Sequence, residues 1–516
     1  MPSRRARLAA LALGALSAAA PLAGCDTQAP PGPRAAGAPS ASTAPAQAAP
    51  PPPRYIEVRA DALPPGGEVR EHVLYHTLRK GQTVSYLAER YLRLTDYYGV
   101  DELEGAILKR NRLRRGKALT VGDTIAIADL RRALPDPPPR PPEAAPGPEV
   151  RAIYVTASTA GTGRVFDLVR ALKPLGLNTV VVDVKDSDGV VAYETDVALA
   201  RATGADRDGL IRDLPKLMQR LRAEDVRVVA RVAVFKDRWL ARHARRLALK
   251  QANGDPYTED GGLTWLDPSS EEVQNYAIEL AREAVRRGFD EVQFDYVRFP
   301  VIGRVNHLRY EGRSRGLAKH EIITDFVAKA ARAVHDAGRL VSIDVFGTVV
   351  WGEEADVNRT GQRIADLAPH VDVLCPMVYP SHFHPGFHGH RYPAWEPYYF
   401  VHEGLKKMAE QAAEKAPPRR PALRPWLQAF PYKALSHFNG QYIVDQLRGA
   451  RDAGGFGFQL WDAKNDYGVG ARGLALWREA NAPPEGAGQS PPAPAPQESP
   501  PRHPVAAKAA EKAPLR

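Results

Sequence analysis

Residues 288–300 read Gly288-Phe289-Asp290-Glu291-Val292-Gln293-Phe294-Asp295-Tyr296-Val297-Arg298-Phe299-Pro300. Within this run, 291–296 has the β-branched and aromatic content of a buried strand. Asp295 stands at its end. A carboxylate in an apolar strand carries a desolvation cost that a partner must offset. The plainer reading is an aspartate satisfied by backbone N–H groups at a cap or turn. That reading suits a loop better than this stretch.

Working outward, seven further runs share this character: 152–156, 179–184, 227–234, 340–346, 371–377, 425–429 and 455–460. Amphipathic stretches at 165–175, 210–223, 273–287, 322–337 and 442–453 separate most of them. Strands alternating with helices imply a parallel sheet covered by helices. Eight repeats predict an α/β fold of the (β/α)8 TIM-barrel type over 149–481. The alternative is an open doubly wound sheet, which is weakened because no glycine-rich phosphate loop opens a helix.

Barrels carry their reactive groups at the C-terminal ends of the strands. Reading those ends gives Asp183, Lys185 and Asp186 on the second strand, Arg231 on the third, and Asp295, Tyr296 and Arg298 on the fourth. Asp344 follows on the fifth, Tyr379 and His382 on the sixth, Gln428 on the seventh and Trp461 on the eighth. Asp295 and Asp344, on adjacent strands, are the expected catalytic pair. Glycosidic bond hydrolysis uses two carboxyl groups, one as acid and the other as nucleophile or base. Asp344 is the preferred acid, with Asp183 and Asp186 behind it. Asp344 also has a purely structural reading, in which it orients a neighbouring Arg or Lys. Arg231 or Arg298 beside a carboxylate would keep it ionised. The other strand-end residues are expected to bind substrate. Tyr193, Trp265, Tyr296, Tyr379 and Trp461 offer flat faces for sugar rings.

His382, His384, His388 and His390 lie close enough to ligate a metal, with Asp344 nearby. A histidine-rich loop can equally donate hydrogen bonds to a sugar, and no metal or cofactor is assigned. Cys375, in an apolar run, reads as a small buried residue and not a nucleophile.

The chain ends are different in kind. Arg4, Arg5 and Arg7 precede the apolar stretch 8–22, and Leu22-Ala23-Gly24-Cys25 reads as a lipobox. Cys25 would carry lipid, so 1–25 is expected to be a lipoprotein signal peptide. An exported protein anchored to a bacterial membrane, on its periplasmic or cell-surface face, follows. Residues 26–54 and 482–516, rich in Pro and Ala, have too little apolar mass to bury a core, and 133–148 reads as a Pro-rich linker. More than half of the 47 prolines lie in these three places. The net charge of +10 is spread among interspersed acids and bases, without the basic stripe of a nucleic-acid binder.

Between tether and linker, 55–132 reads as a small α+β unit of strand, helix, helix, strand. Lys80-Gly81-Gln82-Thr83, Asn111 with Leu113, and Gly122-Asp123-Thr124-Ile125 resemble a LysM module. The segment 91–98 and the basic loop 109–117 depart from that pattern. The resemblance implies binding to glycans such as peptidoglycan, and a fold-only spacer is the alternative.

The stretch 288–300 also resembles the signature of the glycosyl hydrolase family first catalogued as the domain of unknown function DUF4015. So do Val182-Asp183-Val184-Lys185-Asp186-Ser187-Asp188-Gly189 and Met377-Val378-Tyr379-Pro380-Ser381-His382. The likeness covers about 150 to 470 and implies a TIM-barrel glycosidase-like fold. By analogy with related barrel glycosidases, it implies the nucleophile's role for Asp295. The expected function is hydrolysis of a cell-envelope or exported polysaccharide. A non-catalytic glycan-binding envelope lipoprotein and a metal-dependent polysaccharide hydrolase or deacetylase are the alternatives.

Overall fold

The computed structural model describes residues 55–116, 119–132, 147–259, 261–303, 305–415, 420–432, 435 and 437–481. The expected signal peptide with Cys25, all of the tether, most of the linker and the C-terminal tail lie outside the described residues. No helix among the described residues is long and apolar enough to cross a membrane.

The small unit has three strands, β1 (Gly67–Arg70), β2 (Val73–Thr77) and β3 (Thr124–Asp129), in one antiparallel sheet ordered β1-β2-β3. Helices Val84–Tyr91 and Val100–Arg110 fall between β2 and β3. Thr83 caps the first by accepting from the Tyr86 N–H at 3.1 Å. Leu74, Leu87, Tyr91, Leu103, Ile107 and Ile127 form its core. The sequence pattern misses β1, whose residues are half-buried or exposed and so lack a strong alternation.

The larger unit is a parallel barrel. Its strands are β4 (Val150–Val155), β5 (Thr179–Lys185), β6 (Arg227–Ala233), β7 (Glu291–Asp295), β8 (Leu340–Val345) and β9 (Val373–Pro376). Then come β10 (Ala422–Leu423), β11 (Trp426–Gln428) and β12 (Gly457–Trp461). β10 and β11 are two halves of one barrel strand, split at Arg424-Pro425 because proline has no N–H for the ladder. The first half pairs with β9 and the second with β12, and a parallel bridge joins Met377 to Trp426. β12 then pairs with β4. Every strand thus has two neighbours, and the sheet closes into the expected eight-stranded ring. At the closure, Gly457 has φ +87° and a side chain there would run into the Val150 carbonyl.

Strand alternation divides the core in two. One face of each strand packs under helices such as Arg164–Leu172, Leu214–Ala223, Glu271–Arg286 and Lys319–His335. The other face fills the ring with Ala152, Tyr154, Val181, Val229, Val373, Cys375 and Trp426. The ring interior also holds a buried ion pair, Arg424 to Glu291, whose carboxylate accepts from the Ser342 hydroxyl as well. Helix starts follow local capping: Asp213 accepts from the Lys216 N–H and Asn439 from the Tyr442 N–H.

The two units pack together. Tyr98 of the small unit joins the barrel's helix-side core, its ring edge-on to Phe166 with centroids 5.0 Å apart and its hydroxyl donating to the Ala160 carbonyl at 2.6 Å. Lys216 of the barrel donates to the carbonyls of Leu92 at 3.1 Å and Tyr97 at 2.8 Å.

Candidate active site

Alternation and register bring the strand-end residues inward. Arg231 lies opposite Asp183 on β5, and Asp344 opposite Cys375 on β9. A pocket of about 340 Å³ opens at this end of the ring. Its lining includes Arg231, Asp295, Asp344, Tyr379, Trp426 and Trp461.

Arg231 is the organising cation. Its Nε donates to Asp295 Oδ2 at 3.1 Å, its Nη2 bonds the same oxygen, and its Nη1 bonds Asp183 Oδ1. The Tyr154 hydroxyl holds the other Asp183 oxygen. Asp183 therefore sets the guanidinium from behind, and burial raises its pKa against the pull of Arg231. Asp295 and Arg231 form an ion pair that is 3–4% exposed. The next residue, Tyr296, has φ +52°, a left-handed conformation uncommon for a bulky side chain and characteristic of functional sites.

Asp344 has the opposite environment. It is 1% exposed, and burial, followed by the charge of Asp295, pushes its pKa well above the usual carboxylate range. Gln293 Nε2 at 2.9 Å and Trp426 Nε1 at 2.7 Å both donate to Oδ1. Oδ2 has no hydrogen-bond partner among the described residues, which leaves it free to carry the proton. Two carboxyl groups share one pocket, one paired with a guanidinium and the other with burial favouring its proton, an arrangement suited to a base or nucleophile and an acid.

Ring faces line the remaining wall. Trp461 stacks on Tyr154 at 4.0 Å and meets Trp426 edge-on at 5.4 Å. Tyr379 and His382 pack against each other and against Phe430. Burial lowers the pKa of His382, favouring neutral imidazole. Gly347 also lines the pocket, where a side chain would meet the Met377 carbonyl.

Several expected site residues lie elsewhere. By alternation Lys185 would face the pocket with Asp183. A register shift between them puts Lys185 opposite Val232, on the helix side. There it is 1% exposed, pairs with Asp237 at 2.9 Å and donates to the Ala233 carbonyl at 2.6 Å. Asp186 closes a turn by accepting from the N–H groups of Asp188 and Val190, both at 2.9 Å. Gln428 braces the loop, its Oε1 accepting from Ser381 N at 3.2 Å. Arg298 lines the pocket but forms no ion pair with a carboxylate among the described residues. Tyr193 is buried near Glu283 and Arg287. Trp265 lies beneath Tyr296 with its Nε1 on Glu259 at 2.9 Å. The histidines do not converge: His390 bonds Glu396 and His384 the Pro385 carbonyl. Cys375 is buried and its thiol is pushed up to about 12, as fits a packing residue.

Sequence reading missed Trp426, Gln293 and Tyr154. All three act through partners on other strands. The inward parity of Gln293 with Asp295 was the one signal that could have found any of them.

A family model described as "Putative glycosyl hydrolase domain" (DUF4015) matches residues 152–467. Among solved structures, a hypothetical protein from Ruminiclostridium thermocellum is 35% identical, covering 37% of this chain and 97% of that one, with a TM-score of 0.34. The PgaB (BpsB) glycoside hydrolase domain of Bordetella bronchiseptica is 14% identical, covering 61% and 94%, with a TM-score of 0.45. The spore cortex-lytic enzyme SleL of Bacillus megaterium is 12% identical, covering 78% and 86%, with a TM-score of 0.36. No curated protein matches.

Proposed function

The chain belongs to the glycosyl hydrolase family DUF4015, and from that premise we propose that it hydrolyses glycosidic bonds in a cell-envelope or exported polysaccharide. Asp344 protonates the departing glycosidic oxygen. Asp295, paired with Arg231, attacks the anomeric carbon or activates the water that does. The observation that carries this reading is the contrast within one pocket. Asp295 faces a guanidinium, while burial raises the pKa of Asp344, which lies between Gln293 and Trp426. Tyr379 and Trp461 flank the sugar, and His382 adds a neutral hydrogen-bonding group at the wall.

The small unit, with its LysM-like motifs, holds the barrel near glycan such as peptidoglycan. A lipid on Cys25 tethers the protein to the membrane it is exported across. Both readings rest on sequence motifs.

Incubating the purified protein with envelope and exopolysaccharide fractions should release new reducing ends. Asp295→Asn should lower the rate by at least about 100-fold. Equal release by the variant would sink the catalytic assignment.

A further inference from the structure

Arg298 is an unusual cation. It is 7% exposed and lines the pocket. Its Nη1 donates to the Phe299 carbonyl at 3.0 Å, and its buried Nε has no partner among the described residues. The neighbouring carboxylates are engaged elsewhere. Asp295 is held by Arg231, and Glu259 by Lys236 at 3.2 Å and by Trp265 Nε1. Around the guanidinium stand rings: Phe346 at 4.6 Å, Trp265 at 5.0 Å and Tyr296 at 5.5 Å from its carbon.

Aromatic faces attract a cation but accept few of its hydrogen bonds. A buried guanidinium without a counter-ion is costly. Burial lowers its pKa, against the pull of Tyr296 and Asp295. Arg231 is bonded to both Asp183 and Asp295, whereas Arg298 lines the same pocket with no carboxylate bonded to it among the described residues and offers its guanidinium to a ligand.

We infer that the sugar unit seated against Arg298 carries an anionic group, so that the substrate is an acidic glycan. The guanidinium fork matches a pair of anionic oxygens, as on a uronic-acid carboxylate or on a sulfate or phosphate ester. This rests on the reading of the pocket as a glycan site and specifies its substrate class.

The test uses the full chain carrying Asp344→Asn, which leaves the pocket's charges in place and suppresses turnover. Calorimetric titration compares uronate oligosaccharides with their carboxyl-reduced counterparts, and sulfated or phosphorylated oligosaccharides with their unsubstituted forms. At least one acidic series should bind about 10–100-fold more tightly than its neutral partner. The series that does so identifies the anion. Adding Arg298→Met should erase that preference while leaving neutral affinity in place. It should also raise the thermal midpoint without glycan, because an uncompensated buried charge is gone. Equal binding of acidic and neutral partners throughout would overturn the inference. So would a fall in midpoint with loss of both affinities, since Arg298 would then be a structural residue. Binding is read separately from reducing-end release. An acid preference without hydrolysis would therefore refute the hydrolase reading alone.

Discussion

Asp344 differs from an ordinary aspartate because of what surrounds its two oxygens. Trp426 and Gln293 load one of them with donors, and burial keeps the proton on the carboxyl. Turnover should therefore fall as pH rises through the raised pKa of Asp344, and a rate–pH profile would reveal that limb. The stability consequence has a definite sign. A folded-state pKa above the unfolded value gives stability that is fully present below the unfolded carboxylate range. It is lost as pH rises through the folded value. Asp344→Asn keeps the acceptor oxygen and carries no charge. It should raise the thermal midpoint near pH 8 and change it little near pH 4. Asp295 and Asp344 were legible in the sequence because a carboxylate ending an apolar strand must be compensated. Trp426 was not, because its role arises only when the seventh strand comes up beside the sixth.

At the scale of elements, one irregularity redirects a side chain. The motif Asp183-Val184-Lys185-Asp186 reads as a cluster of pocket residues under strict alternation. The register shift in β5 turns Lys185 to the helix side, where Asp237 receives it and also caps the helix Arg238–His243. A bulge of this kind leaves no mark in composition or periodicity. Lys185→Met would leave Asp237 buried without its cation. It should cost about 3–5 kcal/mol in urea unfolding, with kcat/KM per folded molecule unchanged. A large loss of kcat/KM at full stability would return Lys185 to the substrate site. The strand pattern was otherwise readable, since most barrel strands are apolar runs with clear ends. The seventh was only half seen: Pro425 divides it, and Ala422–Leu423 is too short to show a pattern.

Over the whole molecule, the Pro-rich stretch at 133–148 marks a linker between two folded units, and the described parts of those units share a buried seam. Tyr98 illustrates why that was hidden: in sequence it is one of several aromatics in 91–98, and only the fold places it against Phe166. Removing it as Tyr98→Ala should cost about 3–5 kcal/mol. Scanning calorimetry should then resolve separate transitions for the small unit and the barrel, where the parent chain shows them merged. A single unsplit transition at the parent temperature would mean the seam is energetically idle.

Closure of the ring between β4 and β12 carries a consequence for the chain as it is being made. Partners that meet at this junction, Ile153 and Leu460 among them, are separated by almost the whole length of the barrel. Until the last strand arrives, β4 and β11 each present a row of unpaired backbone groups, the kind of edge that recruits strands from other molecules. A product cut before Gly457 should collect in the insoluble fraction, however much of the pocket it retains.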